Sequence, residues 1–423
     1  MGISVAKRRW IPALCCTFLL LGGCAPTQFL HDVVGTTELD ARTQEALLMT
    51  PKETQSASAA TNVLEEPQEE TDQTICLADA TYEYSFYQLE EESERILYRD
   101  ILSILGSMAD KTAVSEGALQ AGDKIEEQTE RVFQCVLNDH PELFYVDGYS
   151  YTKSTNITGE VVAMEFAGTY TLSVEEACAR KAEIEEAARA MLAEIGEQVS
   201  EYEKVKAVYE TIILNTDYDL EAPDNQNIYS VFVGKASVCQ GYAKAVQYLL
   251  NRLQVECLFV LGGVDNGEKH AWNMVKVDGS YYHLDATWGD PAYLTGTEDE
   301  TVVYMPDVSY DYLCITTAQL LRTHYLDNVV PVPECVDMSA NYYVREGAYF
   351  ESYDREQMRQ LFEKAASMNR SDVTVKCSNS AVYDEIWQAL VENREIFEYM
   401  DGLTITYANN VKQLSLTFVV TND

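Results

Sequence analysis

Apolar residues recur every three or four positions through FYQLEEESERILYRDILSILGSM and again through EEQTERVFQCVLN, which predicts two amphipathic helices. The period then switches to two, and LFYVDGYSYT and EVVAMEFAGTYTL read as strands. Together these predict a small α+β domain over residues 76–172. A long charged helix, SVEEACARKAEIEEAARAMLAEIGEQV, leads from it to a second helix, YEKVKAVYETIILN. Ala243, Val246, Leu249, Leu250 and Leu253 restore the helical spacing behind the breakers Gly234 and Ser237, so a further helix is expected to begin at or near Cys239. HAWNMVKV and YYHLDATW are rich in aromatic and β-branched residues, and Asp278-Gly279 between them predicts a tight hairpin. Past Pro333 the pattern predicts a third unit over 334–423. NYYVREGAYFESY reads as strands, DREQMRQLFEKAASM as a helix, DVTVKCS as a strand and YDEIWQALVENREIFEYM as a helix, and LTITYANNVKQLSLTFVV as a hairpin turning at Asn409-Asn410.

The first 75 residues follow none of these periods. Lys7, Arg8 and Arg9 precede the apolar run WIPALCCTFLL, which is short for a membrane span and reads as a secretory signal over residues 1–23. Residues 24–75 are rich in Thr, Glu, Gln, Ser and Ala, contain few aromatics and read as a disordered acidic tether, because such a composition buries too little apolar surface to offset its ordering entropy.

Composition narrows the function. The chain has 423 residues and 47% hydrophobic content, enough for two or three cores once the tether is set aside. A formal net charge of −39 argues against nucleic-acid binding, which needs clustered Lys and Arg. It favours cationic or amine-bearing substrates. No CxxC or His/Cys cluster has zinc spacing, so no metal or other cofactor is expected. Eight cysteines follow the signal run and its terminal Cys24, and if one of them must stay reduced the remaining seven cannot all pair among themselves.

The chemistry points to three residues in order, Cys239, His270 and Asp285. At a helix N-terminus the unpaired N–H groups and the positive end of the dipole favour the thiolate form that attacks carbonyls. Gly241 and Ala243 would let a substrate backbone or a neighbouring strand come close. If Asp278-Gly279 form the turn, Val277 pairs with Ser280 and His270 lies opposite Thr287, with Asp285 its diagonal neighbour on the same face at roughly 7–8 Å between backbones. An Asp bonded to one imidazole nitrogen fixes the tautomer and leaves the other nitrogen to take the thiol proton. His283, on the face of Asp285, is a competing base, and Asp290 is the alternative carboxylate. Trp272 and Trp288 either pack the sheet or wall a substrate-binding pocket. The Cys239 N–H is the natural first oxyanion donor. Tyr218, ahead of the loop that leads to Cys239, is either a second donor or an ordinary helix-end aromatic.

With KASVCQGYAKAVQYLL, KHAWNMVKVDG and YYHLDATWGDP in this order, the segment from about Tyr202 to Pro291 resembles the transglutaminase-like superfamily, over about a fifth of the chain. The resemblance implies a papain-related α+β core, placed at 173–333 with its leading linker helix, in which Cys239 is nucleophile, His270 base and Asp285 orienting acid. Animal transglutaminases take a second oxyanion donor from a Trp upstream of the Cys; here no Trp lies between Trp10 and Trp272. LGGC resembles a bacterial lipobox, which implies cleavage before Cys24, lipidation of its thiol and anchoring on the outer face of a bacterial cell membrane. The expected activity is acyl transfer from an amide in peptide or wall-associated protein substrates, to water as a peptidase or to an amine as a transglutaminase. The competing expectation is a surface lipoprotein that uses the same fold as a binding or assembly module. Oligomeric state is not legible in the sequence.

Overall fold

The computed structural model describes residues 82–195, 199–291, 306–327, 329–400 and 404–421; the signal, the tether and Cys24 lie outside them. A one-turn helix at Tyr84–Tyr87 precedes α1 (Glu92–Gly106) and α2 (Ile125–Asp139), followed by the antiparallel pair β1 (Val146–Thr155) and β2 (Val161–Tyr170). The single long helix expected at the start is broken because Glu91 caps α1 in a reciprocal box with Glu94. The 22-residue α3 (Val174–Ile195) and α4 (Glu201–Asn215), whose Ser200 cap accepts from Glu203 N–H, lead to the centre of the molecule.

There α5 (Cys239–Arg252) is buried along nearly its whole length. It packs on an antiparallel sheet ordered β7-β6-β5-β8, formed by β5 (Cys257–Val264), β6 (Lys269–Val277), β7 (Ser280–Leu284) and β8 (His324–Leu326). The β6–β7 turn is the one the sequence specifies. Asp278 and Gly279 take φ of 51° and 87°, and Val277 pairs with Ser280 and Met274 with His283 in the expected register. Pairing stops at Leu284, so the expected His270–Thr287 pair is not made, and His270 pairs instead with Gly262 of β5. One continuous apolar cluster runs from Leu89 to Ala348 and joins the N-terminal elements to this core. Gln247 of α5 reinforces that junction by donating to the Asn138 carbonyl at 2.8 Å.

The C-terminal unit has its own cluster around Phe350, Phe362, Ile386, Leu416 and Phe418. It contains α6 (Tyr342–Glu346), β9 (Tyr349–Phe350), α7 (Arg355–Ser367), β10 (Asp372–Cys377), α8 (Ser380–Trp387), β11 (Thr404–Asn410) and β12 (Ser415–Thr421). NYYVREGAYFESY, expected as strands, starts with α6, since Asn341 caps it by accepting from Tyr343 N–H and Gly347 ends it at φ 75°. The expected helix over 383–400 begins three residues earlier, becomes a π-helix at Gln388–Glu392 and breaks at Arg394, where φ is 61°. The last hairpin turns over residues 411–414 rather than at Asn409-Asn410. Asn410 still pairs with Ser415, and its side chain closes the loop by accepting from Gln413 N–H.

A buried ion pair docks this unit on the core: Lys376 Nζ donates to Asp311 Oδ1 at 3.0 Å, with both side chains out of solvent. Asp311 Oδ2 accepts from Ser415 Oγ and Asn410 Nδ2. Lys376→Met leaves the Asp311 carboxylate buried without its cation and is expected to cost about 3–5 kcal/mol in urea unfolding, most of it recovered when Asp311→Leu is added. A double variant no more stable than Lys376→Met would remove the ion pair as the cause.

Candidate active site

The thiol of Cys239 stands on the first residue of α5, behind Val238, which offers no side-chain cap. The opening N–H groups of the helix are therefore not claimed by a capping side chain. The helix start is locked from below. Val238 N–H donates to the Asn225 carbonyl at 3.1 Å, Ser237 Oγ donates to the same carbonyl, and Ser230 Oγ donates to Ser237 Oγ. Gly241 is required by this packing, since a Cβ there would collide with Ser237 Oγ and lie 3.0 Å from the Asn225 carbonyl. The close approach expected at Gly241 is thus made by the protein's own loop, not by a substrate or a strand.

His270, at the start of β6, reaches both partners. Its Nε2 lies 2.7 Å from Asp285 Oδ2, and Cys239 is close enough to act electrostatically on the same imidazole, with Nδ1 the ring nitrogen left for the sulfur. Burial disfavours the imidazolium, but the Asp285 carboxylate and then Cys239 outweigh it and hold the His270 pKa well above the usual imidazole range. Asp285 is 1% exposed. Burial opposes its ionisation, yet His270 and then His324 hold its carboxyl below the ordinary carboxylate range. Its Oδ1 accepts from the N–H groups of Thr287 (2.9 Å) and Trp288 (3.1 Å), which fixes the plane of the carboxylate. Cys239, His270 and Asp285, widely separated in sequence, thus form one connected array.

The other candidates fall elsewhere. His283 Nδ1 accepts from Trp272 Nε1 at 3.2 Å and its Nε2 meets Thr317 Oγ1, while burial, and then His324, push its pKa down to about 3. It is held neutral and takes no part in the array. Asp290 accepts from the Tyr242 hydroxyl at 3.1 Å. Trp272 and Trp288 are buried and enclose the imidazole, with ring centroids 6.0 and 6.3 Å from that of His270. Tyr218 pairs with Ser237, two residues before Cys239, and its ring lies 6.4 Å from that of Tyr242.

A residue that the sequence reading passed over completes the cluster. His324, on β8, places Nε2 3.1 Å from the same Asp285 Oδ2 that His270 uses. The facing polar atoms of His270, Asp285 and His324 lie within 4.8 Å of one another, a cluster that no local spacing in the sequence betrays. The strand is three residues long and too short to show a period. Gly262 and Gly263 are local traces of its approach, because a Cβ at Gly262 would strike the Tyr325 carbonyl and the Trp272 ring, and one at Gly263 the Tyr325 ring.

Residues 189–286 match the family model of the transglutaminase-like superfamily. The mouse kyphoscoliosis peptidase is 26% identical over 145 residues, covering 30% of this chain and 21% of that protein. The human kyphoscoliosis peptidase is 25% identical with the same coverage. The chain thus spans about a fifth of the length of these curated relatives. A solved structure of a TGase aligns at 20% identity and TM-score 0.24 over 34% of this chain and 44% of its own. A putative cysteine protease from Cytophaga hutchinsonii aligns at 14% and TM-score 0.22 over 32% and 61%. Cys239, His270 and Asp285 all lie within the segment that matches the transglutaminase-like superfamily.

Proposed function

We propose that this protein is a cysteine acyl-enzyme catalyst that attacks amide bonds in peptide or protein substrates. Cys239 adds to the carbonyl carbon, His270 takes the thiol proton at Nδ1 and returns it to the departing amine, and Asp285 holds the imidazole in the tautomer this requires. Water or a second amine then releases the thioester. The observation that supports the reading is that one imidazole bonds Asp285 at 2.7 Å through Nε2 while a thiol at a helix start acts electrostatically on the same ring. Hydrolysis is favoured by the abundance of water and by the curated relatives' description as peptidases. The competing binding-module reading draws on the 6% exposure of Cys239, which makes entry of a substrate depend on some opening of the site.

Reactivity separates the two. Burial pushes the thiols of Cys135, Cys335 and Cys377 up to about 12, and raises Cys257 and Cys314 as well. Limited iodoacetamide near pH 7, followed by peptide mass mapping, is therefore expected to label Cys239 first. Labelling of Cys239 no faster than of the half-buried Cys178 would favour the binding module.

The leader from Lys7 to Cys24 adds lipid anchoring on the outer face of a bacterial membrane to this proposal. The protein is expected to sediment with membranes and to be released by Cys24→Ala. Equal sedimentation of the two would remove the anchor.

A further inference from the structure

We propose that His324 is a positioning residue of the His270–Asp285 pair, one that shares the carboxylate oxygen used by His270 and so limits how firmly Asp285 holds that imidazole. The inference rests on the acyl-enzyme reading above and deepens it.

The hydrogen bonds assign the protons. An ionised Asp285 can only accept, so both Nε2 atoms that meet Oδ2, at 2.7 Å from His270 and 3.1 Å from His324, carry hydrogen. His324 Nδ1 lies 2.8 Å from Thr323 Oγ1 and, in the neutral ring, accepts from that hydroxyl. The Thr323 oxygen is in turn 3.3 Å from the Tyr312 hydroxyl, which can donate to it. The competing acceptor for the Thr323 hydroxyl, the Leu320 carbonyl, is 3.3 Å away, longer than the bond to His324. The polar chain therefore runs from Tyr312 through Thr323 and His324 to Asp285, with every proton used once.

The surroundings keep His324 neutral. The rings of Trp272, Trp288 and Tyr312 pack at centroid distances of 5.2, 4.8 and 5.6 Å. The titratable groups that face it are Asp285, His270 at 5.3 Å between rings, His283, Tyr312 and, through its charge, Asp265. Burial lowers the His324 pKa, only partly opposed by Asp285, and the His270 charge lowers it further. A neutral N–H donor on Oδ2 divides the acceptor capacity of that oxygen. His270 then remains acidic enough to give its proton to a leaving group. His324 also lies beyond residues 189–286, so the segment that matches the family does not contain this part of the site.

The test uses two small electrophiles on the whole chain, in wild type, His324→Leu and His324→Gln. Iodoacetamide needs only the thiolate, because iodide leaves without a proton. Glycidamide needs an acid as well: the C–S bond forms, the ring C–O bond breaks, and the oxygen takes its proton from the His270 imidazolium. In His324→Leu the Cys239 rate with glycidamide is expected to fall about tenfold relative to that with iodoacetamide. The alkaline limb of the glycidamide profile, where the His270 imidazolium loses its proton, is expected to move up by about one pH unit, since Asp285 then holds His270 alone. His324→Gln, which can place an amide N–H on Oδ2, should restore both. An unchanged ratio and limb in His324→Leu, or a Gln variant as impaired as Leu, overturns the proposal in favour of simple packing. If the Leu variant does not fold, nitrogen-15 histidine spectra of the wild type decide, with His324 expected to carry hydrogen at Nε2 and not at Nδ1, and the reverse overturning it. Failure of wild-type Cys239 to alkylate ahead of the other thiols would instead count against the acyl-enzyme reading itself.

Discussion

Cys239→Ala will abolish covalent turnover while leaving the fold intact. The methyl group fits the same helix start, because α5 begins on backbone bonds, Val238 N–H to the Asn225 carbonyl and Tyr242 N–H to the Val238 carbonyl, that do not involve the sulfur. What disappears is the thiol that acts on His270. Loss of a nucleophile from a triad costs on the order of 10⁶ in rate, with residual catalysis left to binding and oxyanion stabilisation. With a peptide amide substrate, rapid acid quench and intact-mass measurement should trap a thioester on the wild type and none on the variant. If a primary amine hastens decay of the intermediate, the site admits an acceptor and acts as a transferase; if it does not, water is the acceptor. Full activity in a folded Cys239→Ala would end the catalytic reading.

Asp285→Asn should also cost orders of magnitude in rate, though less than Cys239→Ala, for a reason the hydrogen bonds dictate. Oδ1 is fixed by the Thr287 and Trp288 N–H groups, so the amide oxygen of the variant must stay there and its NH₂ must take the place of Oδ2. That NH₂ then faces the Nε2 atoms of both His270 and His324, which carried hydrogen to a carboxylate. To relieve the clash of donors His270 must move its proton to Nδ1, the atom that has to receive the thiol proton. A triad locked in the wrong tautomer in this way loses about 10⁴ in kcat. The carboxylate also sustains the raised pKa of His270, so its loss lowers that pKa and the alkaline limb of the rate profile moves to lower pH. Steady-state rates from pH 5 to 10, with melting curves as the folding control, check both points. Near-normal kcat would remove Asp285 from the site.

The sequence carried more of the site than of the fold around it. Asp278-Gly279 and the alternation on either side fixed the β6–β7 register, and with it the meeting of His270 and Asp285. The strand was read too long because ATW keeps a β-like composition, whereas the Asp285 carboxylate draws the next N–H groups into a turn. β5 left no mark of its own in that reading: CLFVLGGV is buried on both faces and shows no alternation. α6 has a strand-like run of Tyr and Val, and its helical state is set by the Asn341 cap and by Gly347 at its end. His324 was illegible for a different reason, since its role depends on a long-range pairing of β8 with β5 that a single three-residue strand cannot announce.

The docking of the C-terminal unit reaches the reactive carboxylate in two steps. Asp311 is gripped by Lys376, Ser415 and Asn410, and the carbonyl of the next residue, Tyr312, receives the Asp285 N–H at 3.0 Å. The C-terminal unit, whose described residues show no catalytic constellation, thereby bears on the position of the Asp285 carboxylate. Its tolerance to sequence drift is set by alignment at a distance: an exchange at 376, 410 or 415 that lets Asp311 swing is expected to reach Asp285 through Tyr312, in addition to its cost in stability.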